Sequence, residues 1–196
     1  EEDLRKEGMP QEEVHRLGDV HLAVFKESIE KEKVLAPAGH PIHILIEEHQ
    51  IILKFAAELR DIAQKIENKD KASLKAILGD LNQVQEKVKS AENHYLREEN
   101  VLFPYLEKHG ITQPPAMMWI EHDKIRAVEK NISELINAWD RVDSDHFKKD
   151  LKNLSSVLAE TLSSHFYKEN NILFPTALKV IAANEWKDIK KEFDDL

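Results

Sequence analysis

Two eleven-residue blocks, HYLREENVLFP at 94–104 and HFYKENNILFP at 165–175, are identical at six positions, and each opens with His-x-x-x-Glu. Tyr95/Phe166, Arg97/Lys168 and Val101/Ile172 are conservative exchanges between them. A Glu-His pair precedes each block: Ile46-Glu47-Glu48-His49 lies 45 residues before the first, and Trp119-Ile120-Glu121-His122 lies 43 before the second. A single His-x-x-x-Glu on a helix is an ordinary surface pair worth about 0.2–0.5 kcal/mol. Its recurrence inside a duplicated block points instead to a ligand set. On a helix, residues four apart differ by about 40° around the axis and roughly 6 Å along it, so His94 and Glu98 share a face, as do His165 and Glu169. If the two halves pack about a pseudo-twofold axis, four imidazoles and two carboxylates meet at mid-bundle. Unpaired polar groups there are unfavourable, and a metal centre resolves the cost. Neutral imidazoles with carboxylates suit borderline-hard ions such as iron, with manganese or zinc as competitors, and do not suit copper(I) or magnesium. The expected metal ligands are therefore His49, His94, Glu98, His122, His165 and Glu169. Glu98 and Glu169 are the natural bridges, and His49 is expected to pair with His94 and His122 with His165.

These residues must be held by helices. Apolar residues recur at three- and four-residue spacing almost throughout, and no stretch alternates as a strand does, so the chain reads as all-α. Four long periodic stretches, about 42–67, 71–108, 114–139 and 144–182, are separated by linkers short enough to make neighbours antiparallel. That is an up-down-up-down four-helix bundle over 40–182. Residues 1–36 read as an N-terminal segment of short helices, closed by Pro37-Ala38-Gly39-His40-Pro41, which cannot be helical throughout. Residues 183–196 carry Trp186, Ile189 and Phe193 at helical spacing and read as a short C-terminal packing helix. Gly79 is the expected break in the long second stretch, and Pro104 and Pro175 are expected to kink or end the ligand helices.

Composition narrows the chemistry. The 196 residues include ten histidines and no cysteine, which excludes a disulfide framework, Cys-ligated zinc, an iron–sulfur cluster held by this chain and a cysteine nucleophile. With 28 Lys+Arg against 37 Asp+Glu and a formal charge of −9, a nucleic-acid partner is not expected. The start, Glu1-Glu2-Asp3, has no basic or apolar leader, and no apolar run approaches a bilayer's thickness, so a cytoplasmic protein without a membrane partner is expected. No Gly-rich phosphate loop, catalytic serine motif or His-Glu-x-x-His occurs. His40 and His43 are expected to be exposed loop histidines rather than a second metal site. Glu12-x-x-His15 occurs once, outside the bundle, and reads as coincidence. Tyr95, Phe103, Trp119, Phe166, Tyr167 and Phe174 lie near the expected centre, either as pocket walls for a diatomic ligand or as core.

The constellation His49, His94-x-x-x-Glu98, His122 and His165-x-x-x-Glu169 resembles the hemerythrin/HHE cation-binding family over roughly residues 40–182. The resemblance implies two iron ions in a non-heme di-iron centre, with an oxo or hydroxo bridge, inside a four-helix bundle. It implies a small diatomic ligand, dioxygen or nitric oxide. Family members bind or sense dioxygen, sense iron or redox state, or handle nitric oxide and repair iron–sulfur clusters. Oxygen carriers of the family have a fifth histidine where this chain has Met118, and an aspartate where it has Asn170. A thioether is a poor ligand for ferric iron, so the centre is expected to be more symmetric and more open. The stretch Glu7-Gly8-Met9-Pro10 through Arg16-Leu17-Gly18-Asp19-Val20-His21 resembles a small helical domain of unknown function that precedes such bundles in some prokaryotic proteins, often with a PAS-type sensor domain following. The chain also opens inside what reads as a helix, as a fragment of a longer protein would. The first expectation is thus a di-iron domain that binds or senses dioxygen in signalling. The alternatives are a redox or nitric-oxide-handling enzyme of the cluster-repair kind, and a metal-free helical interaction module.

Overall fold

In a computed structural model the chain divides into two units, Glu1–Leu35 and Ala36–Leu196, and the structure describes residues 36–67 and 69–196. The expected N-terminal helices and Glu12-x-x-His15 lie outside the described residues. Among the described residues of the second unit every regular element is helical: α1 (Pro41–Lys65), α2 (Lys71–Lys89), α3 (Glu92–Arg97), α4 (Phe103–Lys108), α5 (Gln113–Asn137), α6 (Ser144–Lys168), α7 (Phe174–Val180) and α8 (Ala183–Asp194). Two π-helical turns, Glu98–Leu102 and Glu169–Leu173, join α3 to α4 and α6 to α7. The main helices start on local signals. His40 Nδ1 accepts from the Ile42 N–H (3.2 Å), with Pro41 at the first position of α1. The Asp70 carboxylate accepts from Ser73 N–H (2.8 Å) ahead of α2, and that of Asp143 from Asp145 and His146 N–H (3.0 and 3.1 Å) ahead of α6. Gly110, at φ +80°, supplies the left-handed residue that ends α4.

α1 packs against α2 and α6, and α5 against the same two, so α1 and α5 lie on one diagonal of an antiparallel four-helix square. The apolar core fills the half of the bundle away from the π turns. There Leu59, Ile66, Leu74, Leu81, Ile136, Phe147 and Leu151 are buried in one continuous cluster. Each such leucine, isoleucine or phenylalanine contributes about 1.5–3 kcal/mol by leaving water. The opposite half holds the buried histidines. α8 packs on α1 and on the first π turn, burying Trp186, Ile189 and Phe193. Its Glu185 carboxylate accepts from Lys108 and His109 (both 2.7 Å) and from the Ala182 N–H (3.0 Å), which clamps the C-terminal helix to the end of α4.

Two local expectations are corrected. α2 runs without interruption through Gly79, where the helix costs only the modest glycine penalty, and the break falls at Ser90–Ala91 between α2 and α3. Pro104 and Pro175 do not end their helices, which continue beyond them in α4 and α7. Pro104 and Pro175 have no N–H to continue the α-helical ladder, and each follows a π turn in which the preceding phenylalanine N–H bonds five residues back, Phe103 to Glu98 O and Phe174 to Glu169 O. No helix among the described residues is long and apolar enough to cross a membrane.

Candidate metal centre

α1 supplies His49, α3 supplies His94, α5 supplies His122 and α6 supplies His165, while Glu98 and Glu169 each open a π turn. All six side chains are buried, none more than 1% exposed. Their ligand atoms form two overlapping groups within 4.8 Å, one of Glu98, His122, His165 and Glu169, the other of His49, His94 and Glu169. Glu169 divides its two oxygens between them. Oε2 lies 2.7 Å from His49 Nε2 and 3.6 Å from His94 Nε2, whereas Oε1 lies 2.5 Å from His165 Nε2 and 3.8 Å from His122 Nε2. One oxygen thus faces each histidine pair, as a bridging carboxylate requires. Glu98 Oε2 reaches one member of each pair, His122 Nε2 at 3.3 Å and His94 Nε2 at 3.8 Å.

Hydrogen bonding at the outer nitrogens says which atoms are free to ligate. His94 Nδ1 pairs with Glu48 (3.0 Å), His165 Nδ1 with Glu121 (2.9 Å) and His122 Nδ1 with Glu99 (2.7 Å). An Nδ1–H donated to a carboxylate leaves Nε2 as the lone-pair nitrogen and raises its basicity. Beyond their approaches to one another, the four Nε2 atoms and both oxygens of Glu98 and of Glu169 are buried without a hydrogen-bond partner elsewhere in the protein. Eight such atoms pointing at one another would be a heavy cost for an apolar core, and a cation with oxygen and nitrogen ligands satisfies all of them at once. The donor set contains no sulfur and fits iron, manganese or zinc.

Charge follows the same geometry. Burial opposes protonation of His94 and His122, but the facing carboxylates outweigh it and raise them to about 10 and about 11 respectively. Burial dominates at His49, which is lowered to about 4 despite Glu169. Burial and the neighbouring Glu169 push Glu98 up, whereas His165, His122 and His49 hold Glu169 well below the usual carboxylate range against burial. Protonated imidazoles therefore balance the carboxylates until cations replace them.

The six residues read from the sequence all converge. The aromatic expectations divide. Phe166 and Phe174 stack on His49 (ring centroids 3.9 and 5.5 Å), and Tyr95 and Phe103 lie against His122 (4.6 and 5.9 Å), so these four wall the centre. Trp119 and Tyr167 are 40% and 51% exposed and do not, because they lie on the solvent sides of α5 and α6. His40 and His43 are not the exposed loop histidines expected: His40 caps α1 and tilts against Trp186 (4.5 Å), and His43 is a half-buried residue of α1 3.3 Å from Glu47, though neither joins a ligand group. Met118 is buried one turn before His122. Sequence reasoning missed the outer carboxylates Glu48, Glu99 and Glu121. It also missed their cationic partners: Arg97 on Glu48 (2.5 Å), Lys168 on Glu121 and Arg126 on Glu99 (2.8 Å). The signal was present, since Glu48/Glu121 and Arg97/Lys168 recur at matching places in the repeat.

Comparison with known proteins agrees with this geometry. Residues 40–177 match the hemerythrin HHE cation binding domain, and residues 1–31 match a family of unknown function (DUF438). The iron-sulfur cluster repair protein YtfE of Escherichia coli O81 (strain ED1a) is 30% identical over 170 residues, covering 78% of this chain and 72% of that protein. YtfE of E. coli K12 (DH10B) is 29% identical over the same shares. A probable iron-sulfur cluster repair protein of Haemophilus influenzae is 27% identical over 140 residues, 69% of this chain and 63% of its own. With the buried His/Glu cluster in a four-helix bundle and a family match spanning most of the chain, this protein belongs to the hemerythrin HHE cation-binding family.

Proposed function

We propose that His49, His94, Glu98, His122, His165 and Glu169 hold two iron ions as a non-heme di-iron centre, and that the chain acts in the repair of damaged iron–sulfur clusters. The observation that carries the metal reading is Glu169, whose two oxygens face two separate histidine pairs. The relatives' names favour the cluster-repair alternative over the dioxygen-sensing role expected first. A bound iron pair supplies one-electron redox chemistry and coordination positions for a diatomic ligand such as nitric oxide.

The protein's own contribution is to place and insulate that chemistry. Glu48, Glu99 and Glu121 fix the orientation of three imidazoles and increase their donor strength. Phe103, Phe166 and Phe174 exclude water beside the histidines, which strengthens every charge interaction inside. Met118 stands where carriers place a fifth histidine and leaves one strong donor fewer, which suits turnover better than reversible carriage. With no cysteine among its 196 residues, this chain offers no thiolate to a cluster, and the cluster enters this reading as substrate.

The test has two stages. Anaerobically iron-loaded protein is assayed for metal content, with manganese and zinc measured alongside, and compared with the His94→Ala/His165→Ala double variant. It is then mixed with an iron–sulfur enzyme whose cluster has been damaged by nitric oxide, and recovery of that enzyme's activity is followed. About two irons per chain and recovery that the double variant lacks are expected. Undiminished iron in the variant overturns the ligand assignment; no recovery with fully loaded protein overturns the repair role.

A further inference from the structure

The duplication places His49 opposite His122 and His94 opposite His165, and part of the surrounding shell follows the same register. Glu48 and Arg97 on His94 have their counterparts in Glu121 and Lys168 on His165. At the other two histidines the correspondence fails. His122 Nδ1 meets Glu99 at 2.7 Å, Arg126 grips both oxygens of Glu99 (2.8 and 2.9 Å), and Glu92 holds Arg126 through two further bonds of 3.0 Å. The repeat positions equivalent to Glu99, Arg126 and Glu92 are Asn170, Leu53 and Ser163. His49 Nδ1 is accordingly buried without a partner, as are both carboxamide atoms of Asn170, and the His49 ring lies stacked on Phe166. The donor atoms are unequal as well. The group that contains His122 and His165 has four members, with Glu98 and Glu169, whereas the group that contains His49 and His94 has three, with Glu169 alone.

A carboxylate behind an imidazole ligand raises its basicity and locks its orientation, and loss of such a partner lowers metal affinity about 10–100-fold. We propose that the two metal positions are unequal by construction: the position between His122 and His165 fills first and keeps its ion about 10–100-fold more tightly, with Glu99, clamped by Arg126, as the positioning residue responsible. Asn170 is the substitution that leaves the His49–His94 position weaker. The proposal rests on the reading that these six residues hold two metal ions, and not on the repair role.

Metal release reads this directly. Protein loaded anaerobically with two equivalents of ferrous iron is mixed with excess of a ferrous chelator that absorbs when complexed, and the time course is followed. Two phases of equal amplitude, differing at least tenfold in rate, are expected. In Glu99→Gln, and in Arg126→Leu, which copies the residue of the other half, the slow phase should accelerate at least tenfold while the fast phase stays put. Asn170→Glu should slow the fast phase. Mössbauer spectra of protein loaded with one equivalent of ⁵⁷Fe should show one dominant environment, about three-quarters to nine-tenths of the signal for an affinity ratio of about 10–100, and the two should reach equal area only with the second equivalent. Release of both irons in a single phase from the wild-type protein, or a change confined to the fast phase in Glu99→Gln, overturns the proposal. Biphasic release without cluster repair overturns only the proposed function, and single-phase release with repair overturns only this inference. A chain that binds no iron overturns both.

Discussion

Glu129 offers a quantitative test of how the bundle treats buried charge. It lies on α5 with Oε1 buried and unpartnered, outside the candidate ligand set. Burial, reinforced by Glu92, raises its carboxyl from 4.5 to about 7, against the opposing pull of Arg126, Tyr95 and Lys89. At about 1.4 kcal/mol per pH unit, keeping the proton over that interval corresponds to a penalty of about 3 kcal/mol on the ionised form. The sign follows from proton counts. Between pH 4.5 and about 7 the folded chain holds a proton that the unfolded chain has released, so stability falls as pH rises through this window and the full penalty applies above it. Glu129→Gln keeps the shape and removes the charge. Urea unfolding of wild type and variant, both in the same metal state, should show the variant gaining about 3 kcal/mol at pH 8 relative to its position at pH 4.5. For a chain of this size that corresponds to roughly 10 °C in Tm. A difference between the two proteins that stays constant from pH 4.5 to pH 8 would refute the reasoning, because a constant offset reports packing rather than ionisation.

Three further outcomes are expected. Phe193→Ala, which removes a ring only 1% exposed between α8 and the bundle, should cost about 3–5 kcal/mol in urea unfolding; a loss below 1 kcal/mol would mean that α8 is not docked as described. Glu48→Gln and Glu121→Gln should each weaken iron binding about 10–100-fold in competition with a chelator while leaving the far-ultraviolet helical signal unchanged. Unchanged affinity in both would show that these carboxylates do not tune the ligands. Because His94 and His122 hold their protons up to about 10 and about 11, metal binding at neutral pH must displace protons, so apparent affinity should rise with pH between 6 and 9. Calorimetric titration in buffers of different ionisation enthalpy measures the protons released, and a value of zero contradicts the charge balance.

The candidate ligand set was legible because helical geometry is local. His94 with Glu98, and His165 with Glu169, share a face by spacing alone, and duplication of the block made coincidence untenable. The all-α bundle and its antiparallel order followed in the same way from periodicity and short linkers. Other features depended on competing terms that a linear pattern does not rank. Gly79 looked like the break, but a single glycine costs too little to stop a helix buried on one face, and the interruption came at Ser90–Ala91. Trp119 and Tyr167 neighbour the candidate ligands in sequence and still face solvent.

By itself, then, the sequence determined the helical class, the order of the four long helices and the six candidate ligands, since each depends on spacing within a helix or on equivalence between two copies. Only the tertiary structure decided how the shell closes around them. The π turns that carry Glu98 and Glu169 reconcile inward-pointing carboxylates with prolines that cannot extend the hydrogen-bond ladder. Contacts such as His122 to Glu99, or His165 to Glu121, join residues 23 and 44 positions apart across packed helices. The exchange of Glu99 for Asn170 is visible in the repeat, but its meaning appears only when one imidazole is found against a carboxylate and its counterpart against an aromatic ring.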